Sequence, residues 1–179
     1  FNWSAEGVVN EYLNDCEVIH NGERKMVPPM EGLETILIDG LKLSQLSKRD
    51  LASFRNKKIG FVFQFHHLIS EFSAIENICI PAFINKTSKK EAYMKAEKLL
   101  GYLGLIDRKN HKPSEMSGGE QQRVAMARAL INNPSIVFAD EPTGNLDTQT
   151  SAELHQLLVN LKNDFGQTFV IVTHNNELA

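Results

Sequence analysis

The sequence predicts an α/β fold, a mostly parallel sheet with an α-helical subdomain inserted between two of its strands. Short continuous apolar runs, suited to strands buried on both faces, alternate with stretches of helical period. Four serines are each followed three residues later by an acid, as capped helix starts require: Ser47/Asp50, Ser73/Glu76, Ser88/Glu91 and Ser117/Glu120. Asp140 and Glu141 directly follow the run Ile136-Val137-Phe138-Ala139, at the carboxyl end of a strand, where open α/β sheets bind ligands.

Composition narrows the class. With 42% apolar and 23% charged residues over 179 positions, the chain reads as one soluble globular domain. A net charge of -3 gives no electrostatic case for nucleic acid. Lysine clusters such as Lys86, Lys89 and Lys90 read as solvated faces. Cys16 and Cys79 are too few for a disulfide framework, and no Cys/His spacing fits zinc, so a reducing cytoplasm is expected. No apolar run approaches the ~20 residues that cross a bilayer, and the first residues do not read as a signal peptide. A membrane role would need a separate spanning subunit.

Taken in order, Asn21-Gly22-Glu23 reads as a turn between short strands. A strand is expected near 35–39, a helix from Ser47 through Arg55, and a buried strand from Ile59 to Phe63 that Gln64 ends. Phe65 and Leu68 read equally as local core or as a partner contact. His66 and His67 read as packing or surface residues, since no third ligand is spaced to join them. One helix follows Ser73 to Phe83. Another follows Ser88, with Ala92, Ala96, Leu99, Leu100 and Leu103 at helical spacing and Gly104 as its stop. Beyond Ser117, Val124, Ala127, Arg128 and Ile131 share a helix face until Asn132-Asn133-Pro134. Gly118 and Gly119 are expected to leave bare amides at a positive helix end, an anion site suited to phosphate. Of the two acids after 136–139, one can hold a divalent metal and the other polarise a water. The stripe Leu154, Leu157, Leu158, Leu161 and Phe165 reads as core, closed by Gly166. A last buried strand, 168–172, precedes His174.

Met116-Ser117-Gly118-Gly119-Glu120, followed by Gln121-Gln122-Arg123, resembles the signature of ABC transporter nucleotide-binding domains, with Met for the usual Leu and Glu for the usual Gln. Ile136 to Glu141 resembles the Walker B strand, and Gly144-Asn145-Leu146-Asp147 the D-loop. Their wording is closest to the branch serving lipoprotein-releasing and macrolide-export systems. The resemblance implies the sheet of the ABC type of P-loop NTPase, with ATP and Mg2+ as cofactors and ATP hydrolysis as the reaction. It implies Asp140 on the metal, Glu141 as general base, Gln64 as the Q-loop contact to metal and water, and His174 as the switch histidine on the γ-phosphate. It implies Ser117, Gly118, Gly119, Glu120 and Asp147 as nucleotide contacts. Two such domains pair head to tail, the signature of one closing over ATP held by the other. A helical subdomain at about 70–116 contacts a transmembrane permease subunit, which places the domain on the cytoplasmic face of the cell membrane.

The front of the chain departs from that family. GxxxxGK[ST], whose amides cradle phosphates and whose lysine reaches the β- and γ-phosphates, is missing, and no Gly-Lys pair occurs in the 179 residues. The opening FNWSAEGVVNEYLNDCEVIHNGERKMVPPMEGLETI resembles a segment of the saccharopine dehydrogenase family, without a GxGxxG fingerprint. The division expected is 1–34, foreign to the ABC fold, and 35–179, a partial ABC domain joined near Thr35 to Gly40. The family's closing strand and helices are not read before Ala179, so the sheet is expected to be incomplete at both ends. The chain is expected to be inactive alone as an ATP hydrolase. Two alternatives stand beside this reading: a non-catalytic interaction module donating the signature in trans, and a fragment of a saccharopine dehydrogenase-like oxidoreductase.

Overall fold

The computed structural model describes residues 17–20, 23–26 and 37–173. In chain order these form β1 (Glu17–His20), β2 (Glu23–Met26), β3 (Leu37–Ile38), β4 (Leu41–Lys42), α1 (Lys48–Lys58) and β5 (Ile59–Val62). Then come α2 (Ala74–Ile84), α3 (Lys89–Tyr102), α4 (Gly118–Leu130), β6 (Ile136–Asp140), α5 (Thr148–Phe165) and β7 (Phe169–Val172). The apolar runs pair as parallel strands with β6 in the middle: Phe138 sits opposite Phe61 on one side and Val170 on the other. On one face of β6 Val137 and Ala139 are buried. On the other, Ile136 and Phe138 are half-buried against the cluster of Leu43, Phe54 and Ile59, so the continuous apolar run is covered on both faces unequally. β1 and β2 pair antiparallel, and β1 meets β7 antiparallel at Val18 and Val170, giving the order β2-β1-β7-β6-β5. The expected Asn21-Gly22 turn lies outside the described residues.

The strand expected near 35–39 does not join this sheet. Within the described residues it is the two-residue β3, which pairs antiparallel with β4 in a separate hairpin, Ile38 opposite Leu41. Asp39 and Gly40 cause this: both take positive φ, 52° and 74°, the two-residue turn that Asp-Gly favours. Asp39 then anchors the hairpin to its surroundings, accepting from Ser135 Oγ at 2.6 Å and pairing with Lys58 Nζ at 2.7 Å.

All four expected helix starts form. Ser47 and Ser88 accept from the amides of Asp50 and Glu91, while Ser73 and Ser117 complete reciprocal boxes with Glu76 and Glu120. Gly104 and Gly166 end their helices with left-handed φ of 68° and 63°.

Three apolar clusters hold the layers. Ile75, Ile78, Ala92, Ala96 and Leu100 pack α2 and α3 against Val124, Ala127 and Ile131. Met126 and Leu130 pack with Val62, Val137, Leu154, Leu158 and Leu161 beneath the sheet. Leu43, Phe54 and Ile59 form a smaller cluster with Phe61 and Phe138. α4 therefore buries two faces, one toward the helical layer and one toward the sheet, where a single face was expected. Its approach to the sheet is close: a Cβ on Gly60 would lie 2.7 Å from the carbonyl oxygen of Ala129. Phe165 is also corrected. It is 57% exposed and meets Tyr102 edge-on with centroids 4.9 Å apart, outside the core stripe.

Candidate functional site

Ser117 begins the site by capping α4. Its Oγ accepts from Glu120 N at 3.2 Å, and Ser117 N donates back to Glu120 Oε2 at 2.8 Å. That amide bond, helped by the charge of Arg108, holds the Glu120 carboxyl below its ordinary range. Gly118 is exposed as expected, but Gly119 is buried. A Cβ on Gly119 would stand 2.4 Å from Thr150 Cγ2, so its missing side chain serves the packing of α4 on α5. Thr150 is held in turn by Asp147, which caps α5 by accepting from Thr150 N at 3.0 Å and Thr150 Oγ1 at 2.6 Å. The Thr150 hydroxyl is the main reason the Asp147 carboxyl titrates below its ordinary range. Two helix N-termini thus meet, each a positive end.

Asp140 closes β6, in register with Val172. Glu141 follows with φ at 41°, a conformation uncommon for a residue with a side chain and further disfavoured before Pro142. Neighbours fix it there: Glu141 N donates to Val172 O at 2.8 Å, Gly144 N donates to Glu141 O at 3.0 Å, and Thr173 Oγ1 donates to Glu141 Oε2 at 3.1 Å. Gln64, just past β5, reaches the same loop. Its Nε2 donates to Asn145 Oδ1 at 3.2 Å, and Asn145 Nδ2 donates back to Gln64 O at 3.2 Å. Gly144 makes room, since a Cβ there would lie 2.8 Å from Gln64 Nε2.

The structure therefore brings Gln64 onto the 144–145 loop and sets Gly118 and Gly119 against Leu146 and Thr150. The link from these to Asp140 and Glu141 runs along the 141–147 chain. His174 lies outside the described residues. Among the described residues, no group of three His, Cys, Asp or Glu side chains could hold a metal.

Three further side chains shape this region. Gln122 is fully buried, donating from Nε2 to Phe63 O at 3.2 Å and to Pro142 O at 2.8 Å. Arg128 donates to His67 O at 2.6 Å and His66 O at 2.8 Å, and burial lowers its pKa. Asn77, also fully buried, accepts from Ile69 N at 2.7 Å and donates to the carbonyls of Ile69, Phe72 and Ser73. The signal for Gln122 is present in the sequence: it stands four residues before Met126, on the sheet-facing side of α4, where an amide must find buried partners. Beside β5, the same loop borders a cleft of about 560 Å³ lined by Asn56, Phe61, Phe63, His67, Ile84 and Arg128. Phe65 projects nearby in the chain, 65% exposed, while Leu68 packs on the helical cluster. No helix among the described residues is long and apolar enough to cross a membrane.

The ABC transporter family profile matches residues 25–144. The lipoprotein-releasing system ATP-binding protein LolD of Bacteroides thetaiotaomicron is 57% identical over 145 residues, 81% of this chain and 66% of that protein. LolD of Bacteroides fragilis is 58% identical over 144 residues, 80% of this chain and 67% of that protein. This chain thus spans about two thirds of the length of these curated relatives. A solved dimeric post-hydrolysis state of the ATP-binding cassette MJ0796, bound to ADP and Pi, superposes with a TM-score of 0.71 at 42% identity, covering 84% of this chain and 66% of that one. With the family profile over two thirds of its length and relatives above half identity, the chain belongs to the ABC transporter ATP-binding family.

Proposed function

We propose that this chain is part of the ATP-binding, ATP-hydrolysing subunit of an ABC transporter for lipoprotein release, and that it contributes the signature side of a nucleotide site shared with a second cassette. One observation carries the reading: Gln64, Gly144-Asn145 and Gly118-Gly119 interlock through the 144–150 segment into one connected region. A Mg-ATP held there would supply the phosphoryl group and a charge-neutralising ion. Asp140 would face the ion, Glu141 would accept the proton of the attacking water, and Gln64 would orient ion and water. His174 would contact the γ-phosphate. Ser117, Gly118, Gly119 and the neighbouring Glu120 and Asp147 would offer two helix N-termini to nucleotide bound by the partner.

These 179 residues contain no Gly-Lys pair, so the β-phosphate cradle would come from the second cassette in a head-to-tail dimer. We divide the chain near residue 35, with 35–179 as the partial ABC domain and its helical subdomain at about 70–116; the family match nevertheless begins at residue 25, and β1 and β2 are paired onto β7 of the same sheet. The cleft beside β5, lined by exposed Ile84 and by Phe63 and His67, between which exposed Phe65 lies in the chain, would receive a transmembrane permease subunit and hold the domain at the cytoplasmic face of the membrane. Calorimetry of the isolated chain with Mg-ATP tests the shared site. No micromolar binding is expected; micromolar binding abolished by Asp140→Asn would overturn the in-trans reading.

A further inference from the structure

Gln122 presents an unusual polar contact inside the apolar seam between α4 and the sheet. Both of its N–H groups go to backbone carbonyls, those of Phe63 and Pro142, so its Oε1 is left to accept. The group facing that oxygen is His66 Nδ1, which must therefore carry the ring proton. Phe63 immediately precedes Gln64, and Pro142 immediately follows Glu141. One buried amide thus grips the chain beside both residues. It also grips the far side of the strained Glu141, and a left-handed residue before proline persists only where its surroundings over-determine it. The third contact belongs to the loop that carries exposed Phe65 and lines the cleft through His67, and Arg128 ties that loop to α4 by two carbonyls.

The geometry points to Gln122 as a positioning residue that sets the Gln64 segment against the Glu141 segment and passes displacement of the His66 loop to the acidic strand end. The proposal rests on the proposed roles of Gln64 and Glu141 in hydrolysis. It describes a second route from the cleft to Glu141, one that does not pass through the Gln64 side chain.

Backbone NMR of the full chain tests the tie without nucleotide. The amides of Gln64 and Thr143 report hydrogen bonding at the carbonyls of Phe63 and Pro142. Gln122→Met keeps length and volume but removes the donors, and both amides are expected to shift while His66 loses its fixed Nδ1–H tautomer. His66→Ala alone is expected to shift the Thr143 amide, and to leave it in place when Gln122→Met is already present. A Thr143 amide unmoved by His66→Ala overturns the proposal, and this arm decides even if Gln122→Met fails to fold. In an assembly with a cassette that carries a phosphate loop, Gln122→Met is expected to lower kcat for ATP about tenfold or more with KM within about twofold. An unchanged kcat overturns the positioning role. Absence of turnover in the unsubstituted assembly overturns the proposed function instead, and leaves the NMR arm to decide the tie.

Discussion

Gly118 and Gly119 are neighbours in sequence with different physical demands on them. Only the second is enclosed, with Thr150 Cγ2 at 2.4 Å from its added Cβ, and Thr150 cannot turn away without losing its hydroxyl bond to Asp147. Gly119→Ala is therefore expected to destabilise the fold by about 1–3 kcal/mol, the usual range for overpacking. Urea denaturation would measure it, and Thr150→Ser, which removes the clashing methyl and keeps the hydroxyl, should restore most of the loss. The Ser117/Glu120 box was legible because both partners lie within one turn. The enclosure of Gly119 and the reach of Gln122 to Pro142 were not, because each depends on a contact made only after distant segments pack. The serine and the two glycines look alike on paper as an anion cradle, and only packing separates their tasks.

At the scale of elements, helix ends were the most readable features and strand membership the least. The run at 37–38 has the composition of a buried strand, but Asp39-Gly40 turns it back on itself, so local turn chemistry decides against sheet pairing. The C-terminal end of α2 shows the reverse case, a helix stop without the residue that suits it. Lys86 adopts φ 62° there, with its amide bonded to Phe83 O at 2.9 Å. Lys86→Gly should relieve the left-handed strain at an exposed site, partly offset by greater freedom of the unfolded chain. A net gain of about 0.5 kcal/mol in thermal or urea unfolding is expected, on the scale of such left-handed positions. α3 and α5 are braced by Tyr102 Oη donating to Asp164 Oδ2 at 2.6 Å. This bond, foremost, pushes the Tyr102 pKa from 10.0 up to about 12. The folded state thus favours the neutral phenol. The bond's contribution is complete below about pH 10 and is lost as pH rises toward about 12. Tyr102→Phe should show a urea midpoint that approaches the unsubstituted value across that window, since other alkaline titrations are common to both.

At the scale of the whole molecule, α4 joins the helical layer, the sheet and the candidate nucleotide-facing tip, so the order of motifs along the chain could be read before their contacts could. The fold class follows from apolar runs alternating with capped helices, and Asn21-Gly22 signalled two short strands, whereas their pairing onto β7 had no comparable signal. The same geometry allows the shared-site proposal to be tested without disturbing the fold. Gly118 is open: the nearest atom to an added Cβ is Leu146 Cδ2, at an ordinary 3.6 Å. An acid at the first position of a helix is also favourable to the helix itself. Gly118→Asp should accordingly retain the unfolding midpoint of the parent chain while placing a negative charge where the partner's nucleotide phosphates would lie. At about 4 Å and an effective dielectric near 20, one such like-charge pair opposes binding by roughly 4 kcal/mol, about a thousandfold in affinity. Sedimentation with a phosphate-loop cassette unable to hydrolyse ATP should show ATP-dependent association for the parent chain, and none at the same concentrations for Gly118→Asp. Equal association by both would remove the helix tip from the interface.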